Sequence, residues 1–131
     1  MKTLQCSLTK SFDCDIETLF NILTNSRYIK KWSGQEGKIP QKKGASISLF
    51  DGWVHGKTLE VNSPNLISFS WQPSDWEEPV ESTVTYSLQM KNGKVSLNIK
   101  HKGFPNVEQM RSHREGWKQY VLQPVSQYLS T

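Results

Sequence analysis

The sequence predicts an α+β fold: an antiparallel sheet with one wet face, closed by a long C-terminal helix. Three observations carry this. Between residues 47 and 101 apolar side chains alternate with polar ones and no long apolar run appears, so the strands are covered on one face only, as antiparallel strands are. Turn-forming Gly, Pro, Asn and Asp punctuate those strands at hairpin distances. From Val107 to Leu129 apolar positions return instead at helical spacing, and no other segment is long enough to cover the apolar side of the sheet.

Taken in chain order, Leu4, Cys6 and Leu8 alternate with Gln5, Ser7 and Thr9 and predict a first strand. Asp13 or Asp15 is positioned to cap a helix whose apolar residues are Ile16, Leu19, Phe20 and Leu23. Asn25 and Ser26 interrupt it, and a second short helix covers Arg27 to Trp32. Ser33 to Ala45 is polar and contains Gly34, Gly37, Pro40 and Gly44, the composition of a long flexible connection. Ile47 and Leu49 begin the meander, Asp51-Gly52 predicts a tight turn, and Trp53 to Val61 returns. After the turn at Asn62 to Asn65, Ile67, Phe69 and Trp71 share one face. A loop with an acidic group, Asp75, Glu77, Glu78 and Glu81, surrounds Trp76. Val84, Tyr86, Leu88 and Met90 then share a face, Asn92-Gly93 is a hairpin signal, and Val95, Leu97, Ile99 and His101 run back. The closing helix carries Val107, Met110, Arg114, Trp117, Val121, Pro124 and Tyr128 on the side expected to meet the sheet.

At 131 residues the chain fits one domain, 1–131, able to bury roughly two-thirds of its unfolded surface. With 35% hydrophobic and 21% charged residues, neither disorder nor a membrane span is expected. The start, MKTLQCSLTK, lacks the apolar core of a secretory signal, so the expected location is cytoplasmic, without membrane insertion. Cys6 and Cys14 form no CxxC pair and are expected to stay reduced. The net charge of +4 is modest and segregated, with lysines at 30, 31, 38, 42 and 43, and marks solvated loops rather than a nucleic-acid face. Lys102-Gly103-Phe104 opens like an RNA-recognition signature, but Pro105 breaks it, and no nucleic-acid partner is expected.

The stretch HREGWKQY, residues 113–120, is unusual for a helix because it brings His113, Gly116, Trp117 and Tyr120 close together. Projected at about 100° per residue, His113, Arg114, Trp117 and Tyr120 fall on or beside the sheet-facing stripe, with Gly116 at its edge. A glycine inside a helix costs about 1 kcal/mol relative to alanine, and close approach of another backbone would justify it. Pro124 is expected to bend the last turns. A bent helix over the sheet leaves a gap, a common kind of ligand site.

The run FDGWVHGKTLEVNSPNLISFSW, with HKGF at 101–104 and HREGW at 113–117, resembles the activator of heat-shock protein 90 ATPase homologue family. That family lies in the START-like, helix-grip (SRPBCC) superfamily with the Bet v 1 and polyketide-cyclase relatives. The resemblance spans nearly the whole chain and implies a curved antiparallel sheet of about six to seven strands gripping a long C-terminal helix, with two short helices after strand one. It also implies a cavity for an apolar or amphipathic molecule between helix and sheet. The eukaryotic co-chaperone that gives the family its name has an additional N-terminal domain, which this chain, starting at the START-like strand, is expected to lack.

The candidate ligand-binding residues are Trp53, Phe69, Trp71, Tyr86, Met110, His113, Arg114, Trp117 and Tyr120. Aromatic and aliphatic walls supply apolar area, His113 offers a hydrogen bond to a ligand carbonyl or carboxylate, and Arg114 offers a planar fork to an anionic head group. Each has a plainer role in packing or in anchoring the helix. Asp51, His55, His101 and His113 lack any metal-ligand spacing, and no GxSxG elbow is present, so neither a metal, a cofactor nor a catalytic triad is expected. The expected function is non-enzymatic binding of a small hydrophobic or amphipathic molecule. The alternatives are a cyclase, dehydratase or hydrolase using His113 beside Tyr86, and a protein-interaction domain working through the exposed sheet face, the lysine loop or Trp76. Unpaired sheet edges allow a monomer or a homodimer.

Overall fold

The computed structural model describes residues 4–76 and 80–130. Six strands, β1 (Gln5–Phe12), β2 (Ser46–Leu49), β3 (Val54–Asn62), β4 (Leu66–Pro73), β5 (Ser82–Lys91) and β6 (Lys94–Lys102), pair antiparallel in the order β1-β6-β5-β4-β3-β2. Two short helices, α1 (Ile16–Thr24) and α2 (Ser26–Ser33), follow β1. The C-terminal helix runs as α3 (Val107–Trp117), a π-helical turn at Lys118–Leu122, and α4 (Gln123–Leu129). Glu77 and Glu78 of the acidic group lie outside the described residues.

Alternation sets the sheet. Along β5 and β6, Val84, Tyr86, Leu88, Val95, Leu97, Ile99 and His101 are buried, while Lys91, Lys94, Lys100 and Lys102 on the same strands are exposed. Asn92 and Gly93, at φ 54° and 79°, make the two-residue turn whose twist matches that of the strands. Met90, at the end of β5, is 49% exposed rather than joined to the buried row. Gly56 is the close-approach position in β3: a Cβ there would land on the carbonyl oxygen of Ser70 in β4.

Asp15 holds the N-cap position of α1 without a side-chain cap bond, whereas the Asn25 side chain accepts from the Arg27 amide and starts α2. The Trp32 indole donates to the Ile22 carbonyl at 2.8 Å and ties the two helices together. The 33–45 connection is pinned rather than free. Its Ile39 is 1% exposed and donates its amide to the Thr24 carbonyl, and Lys38 pairs with Ser48 through both backbone bonds. One apolar side chain suffices to draw a polar loop onto the core. The turn after β2 takes in Phe50, Asp51 and Gly52, all at positive φ, so Trp53 sits at the end of the loop and β3 begins at Val54.

The C-terminal helix buries His113, Trp117, Val121, Leu122 and Val125. The stripe predicted from sequence is therefore displaced: Val107 is 41% exposed and Arg114 lies outside, its guanidinium donating to the Ser7 carbonyl of β1 at 3.2 Å. Residues four apart drift about 40° per step around a regular α-helix, and the wider turn at Lys118–Leu122 takes that drift back. There the Gln123 amide donates to the Lys118 carbonyl, five residues back. Pro124 has no N–H to give to Tyr120 and its ring would crowd that carbonyl, so the irregularity falls just ahead of the proline.

Candidate functional site

The inward positions of β4, β5 and β6 face α3 and assemble a buried polar circuit inside an aromatic cluster. An indole N–H can only donate, so two such groups fix both histidines. Trp117 Nε1 donates to His101 Nδ1 at 3.1 Å, which places the His101 proton on Nε2 facing Ser82 Oγ at 2.8 Å. Ser82 Oγ donates in turn to the Trp71 carbonyl at 2.7 Å. Trp71 Nε1 donates to His113 Nε2 at 3.1 Å, so His113 carries its proton on Nδ1 and gives it to the Gln109 carbonyl at 3.0 Å. The circuit leaves α3 at Trp117, crosses β6, β5 and β4, and returns to α3 at His113.

Both rings are held neutral. Burial, reinforced by the neighbouring His113, lowers the His101 pKa to about 2. Burial also lowers that of His113, against the opposing effects of its bond to the Gln109 carbonyl and of the Asp75 carboxylate. No buried side-chain polar atom among the described residues lacks a partner. His113 thus anchors the helix to the sheet, with no ring nitrogen left to offer a ligand.

Beside this circuit lies a cleft of about 450 Å³ between the C-terminal helix and the sheet. Phe50, Trp53, Trp71, Trp117, Tyr120 and Val121 form its apolar walls. Gln35, Asp75, Gln109 and Ser112 supply polar groups, and His113 and Gly116 complete the lining. The rings are inclined to one another: Trp53 meets Trp71 at 88° and Phe50 at 61°, and Trp71 meets Trp117 at 42° with centroids 4.9 Å apart. Trp53 and Tyr120, 37% and 57% exposed, stand at the mouth. Trp53 is fixed there by donating to Asp75 Oδ1 at 3.0 Å and by stacking on His113 at 21°.

Of the residues expected from sequence, Trp53, Trp71, His113, Trp117 and Tyr120 border the cleft, and four do not. Phe69 and Tyr86 are sealed in the core at 0% and 2% exposure, because they point inward from β4 and β5 beneath Trp71 and Trp117. Met110 packs against the core away from the opening, and Arg114 is held on the β1 side. No hydrogen bond joins Tyr86 to His113, and burial raises the Tyr86 pKa, so the acid-base pairing considered from sequence is not formed. Gly116 meets no foreign backbone: a Cβ there would reach only the Tyr120 ring, at 3.9 Å. Trp76 folds onto α3, donating to Gln109 Oε1 at 3.1 Å beside Phe104 and His113. Asp51 accepts from the Glu36 amide at 2.8 Å and serves its turn.

Sequence reading missed Ser82, Asp75, Gln35, Phe50, Gln109 and Ser112, and assigned His101 no structural role. His101 had a visible signal, since it continues the inward row Val95, Leu97, Ile99. Ser82 likewise heads the inward row Val84, Tyr86, Leu88 of β5, whereas the others sit on loops or helix flanks where no periodicity points to them.

An antiparallel sheet with a long helix laid across one face, and a cleft between the two, defines a helix-grip protein. The chain belongs to the family described as activator of Hsp90 ATPase homolog 1-like protein, whose model matches residues 13–130. It is 24% identical over 125 residues to the Mus musculus activator of 90 kDa heat shock protein ATPase homolog 1, covering 95% of this chain and 37% of that protein. To the Mus musculus homolog 2 it is 27% identical over 103 residues, covering 79% and 31%. The chain thus spans about a third of the length of these curated relatives. An HSP90 activator from Plasmodium falciparum has the same fold at a TM-score of 0.87 and 26% identity, covering 97% of this chain and 96% of that one. The Aha1 dimer from Colwellia psychrerythraea shares the fold at a TM-score of 0.80 and 14% identity, with 95% of each chain covered. No helix of the described residues is long and apolar enough to cross a membrane.

Proposed function

We propose that this domain is a non-enzymatic binding module that holds a small hydrophobic or amphipathic molecule in the cleft between the C-terminal helix and the sheet. The observation that carries this is the cleft itself: about 450 Å³, walled by five aromatic rings and rimmed by a few polar side chains. Removing about 200 Å² of apolar ligand surface from water contributes roughly 5 kcal/mol before ordering costs. Apolar burial alone therefore gives a dissociation constant of about 0.2 mM at the tightest, and millimolar once ordering costs are met. Both imidazoles are committed to internal bonds, which favours binding over turnover.

A thermal-shift screen of metabolites and lipids tests this, since a ligand at 100 times its dissociation constant adds about 2.7 kcal/mol of stability. Gly116→Leu, which adds a side chain at a lining position whose Cβ would meet only the Tyr120 ring, at 3.9 Å, should abolish the shifts while the variant stays folded by circular dichroism. Shifts that survive in Gly116→Leu, or a panel without any stabiliser, would overturn the reading.

A second reading, a protein-interaction domain, is favoured by the printed names of the relatives, which are activators of a heat-shock ATPase. The outer sheet face offers Lys91, Lys94, Lys100 and Lys102 exposed, with no acidic residue in β1, β5 or β6. Binding of a chaperone-type ATPase there would weaken with salt and be indifferent to Gly116→Leu.

A further inference from the structure

Among the described residues, the cleft lining offers a ligand no positive charge. Asp75 is the one ionised side chain among the described lining residues, and Arg114, the cation expected from sequence to clamp an anion, is bonded to the Ser7 carbonyl instead. All three lining indoles have their N–H groups already bonded, Trp71 to His113 and Trp117 to His101 in the interior and Trp53 to Asp75 at the mouth. With those donors taken, what the indoles retain for a ligand is carbon and π-electron surface rather than a hydrogen bond. Trp53 and the Asp75 carboxylate stand together at the mouth, joined by a 3.0 Å bond that uses one acceptor site of a carboxylate that has about four. The remaining polar lining, Gln35, Gln109, Ser112 and Tyr120, is uncharged.

Resting on the binding function proposed above, we infer that the molecule held in this cleft is an organic cation: a quaternary ammonium or protonated amine on an apolar body, its charge at Asp75 and its methyl or methylene groups against the inclined faces of Trp53, Phe50 and Tyr120. A cation gains from the negative face of each ring and from the carboxylate. An anion meets the same faces and the same carboxylate with the opposite sign, and no lining group compensates. The net charge of +4 opposes cation entry only weakly at physiological salt, because charges beyond about 8 Å are screened.

Three isosteric probes test this by amide NMR titration of the full chain: benzyltrimethylammonium, its uncharged carbon isostere neopentylbenzene, and phenylmethanesulfonate. The expected result is that benzyltrimethylammonium shifts cleft amides and binds about tenfold more tightly than phenylmethanesulfonate, and several-fold more tightly than neopentylbenzene. Asp75→Asn, which still accepts the Trp53 bond, should erase most of the advantage of benzyltrimethylammonium over neopentylbenzene. Equal or tighter binding of the neutral or anionic probe at the cleft, or a preference untouched by Asp75→Asn, overturns the cationic assignment and leaves the binding function standing. Failure of benzyltrimethylammonium and phenylmethanesulfonate at millimolar concentration, and of neopentylbenzene at its solubility limit, to perturb cleft amides overturns both.

Discussion

Acidification should unfold this domain from the inside, and His101 is the group that sets the size of the effect. Its folded pKa, about 2, lies far below the ordinary histidine value of 6.5 because the ring is fully buried. The unfolded chain therefore takes up a proton, as pH falls through 6.5, that the folded chain refuses until about pH 2. Stability from the neutral ring is complete above pH 6.5 and is lost progressively below it. At pH 5, 1.5 units below the unfolded value, each unit counts about 1.4 kcal/mol, so His101 alone removes about 2 kcal/mol. That figure hardly changes for any folded pKa below about 4. His113, also lowered, acts in the same direction, and a proton on its Nε2 would set N–H against the N–H of Trp71. For a domain with a typical stability of 5–15 kcal/mol this is a large fraction. Urea unfolding followed by tryptophan fluorescence at pH 7.5, 6.0 and 5.0 measures it, and the imidazole C–H resonances report each ring directly. A His101 resonance titrating near pH 6.5 in the folded protein, or unfolding free energies that stay level from pH 7.5 to 5.0, would refute the reasoning.

Gly116→Ala should raise stability by up to about 1 kcal/mol in urea melts, since the residue is helical and its Cβ meets only the Tyr120 ring at van der Waals distance. Gly56→Ala should cost upwards of about 2 kcal/mol or prevent folding, because β3 must move off the Ser70 carbonyl; circular dichroism and thermal melts decide it. Ser82→Ala removes the hydroxyl between His101 and the Trp71 carbonyl and should cost about 1–3 kcal/mol, whereas Ser82→Thr, which keeps the hydroxyl, should cost less.

The sheet was legible because its code is local. Alternation over Val84 to Leu88 and Val95 to Ile99, joined by Asn92-Gly93, admits one register, and a slip by one residue would turn every apolar side chain to water. The helix was legible in extent but not in rotation. Trp117 and Val121 belong both to the predicted stripe and to the buried face, so helical spacing alone does not separate Arg114 from His113. What decides is the circuit through Trp71 and His101, residues on distant strands. The cleft was half legible for the same reason. Trp53, Trp71, Trp117 and Tyr120 stand out as aromatics on predicted elements, but Gln35 and Asp75 reach it from loops whose paths depend on Ile39, Asp51 and the positive dihedrals at 50–52. Tertiary contacts, not propensities, place them.

The π-helical turn holds one residue more than an α-turn would, and that extra residue sets which way the helix faces beyond it. Deleting one residue there would let the turn close to regular α-helix with the later facing nearly unchanged, whereas winding all of Lys118–Leu122 as α-helix would swing everything beyond by about 100°. Val125 would leave the core, and Tyr128, whose ring stands edge-on to Tyr28 of α2 at 6.5 Å, would lose that neighbour. The tail would then detach from the first two helices while Trp117 stayed in place, so this one loose-wound turn keeps the two ends of the chain in step.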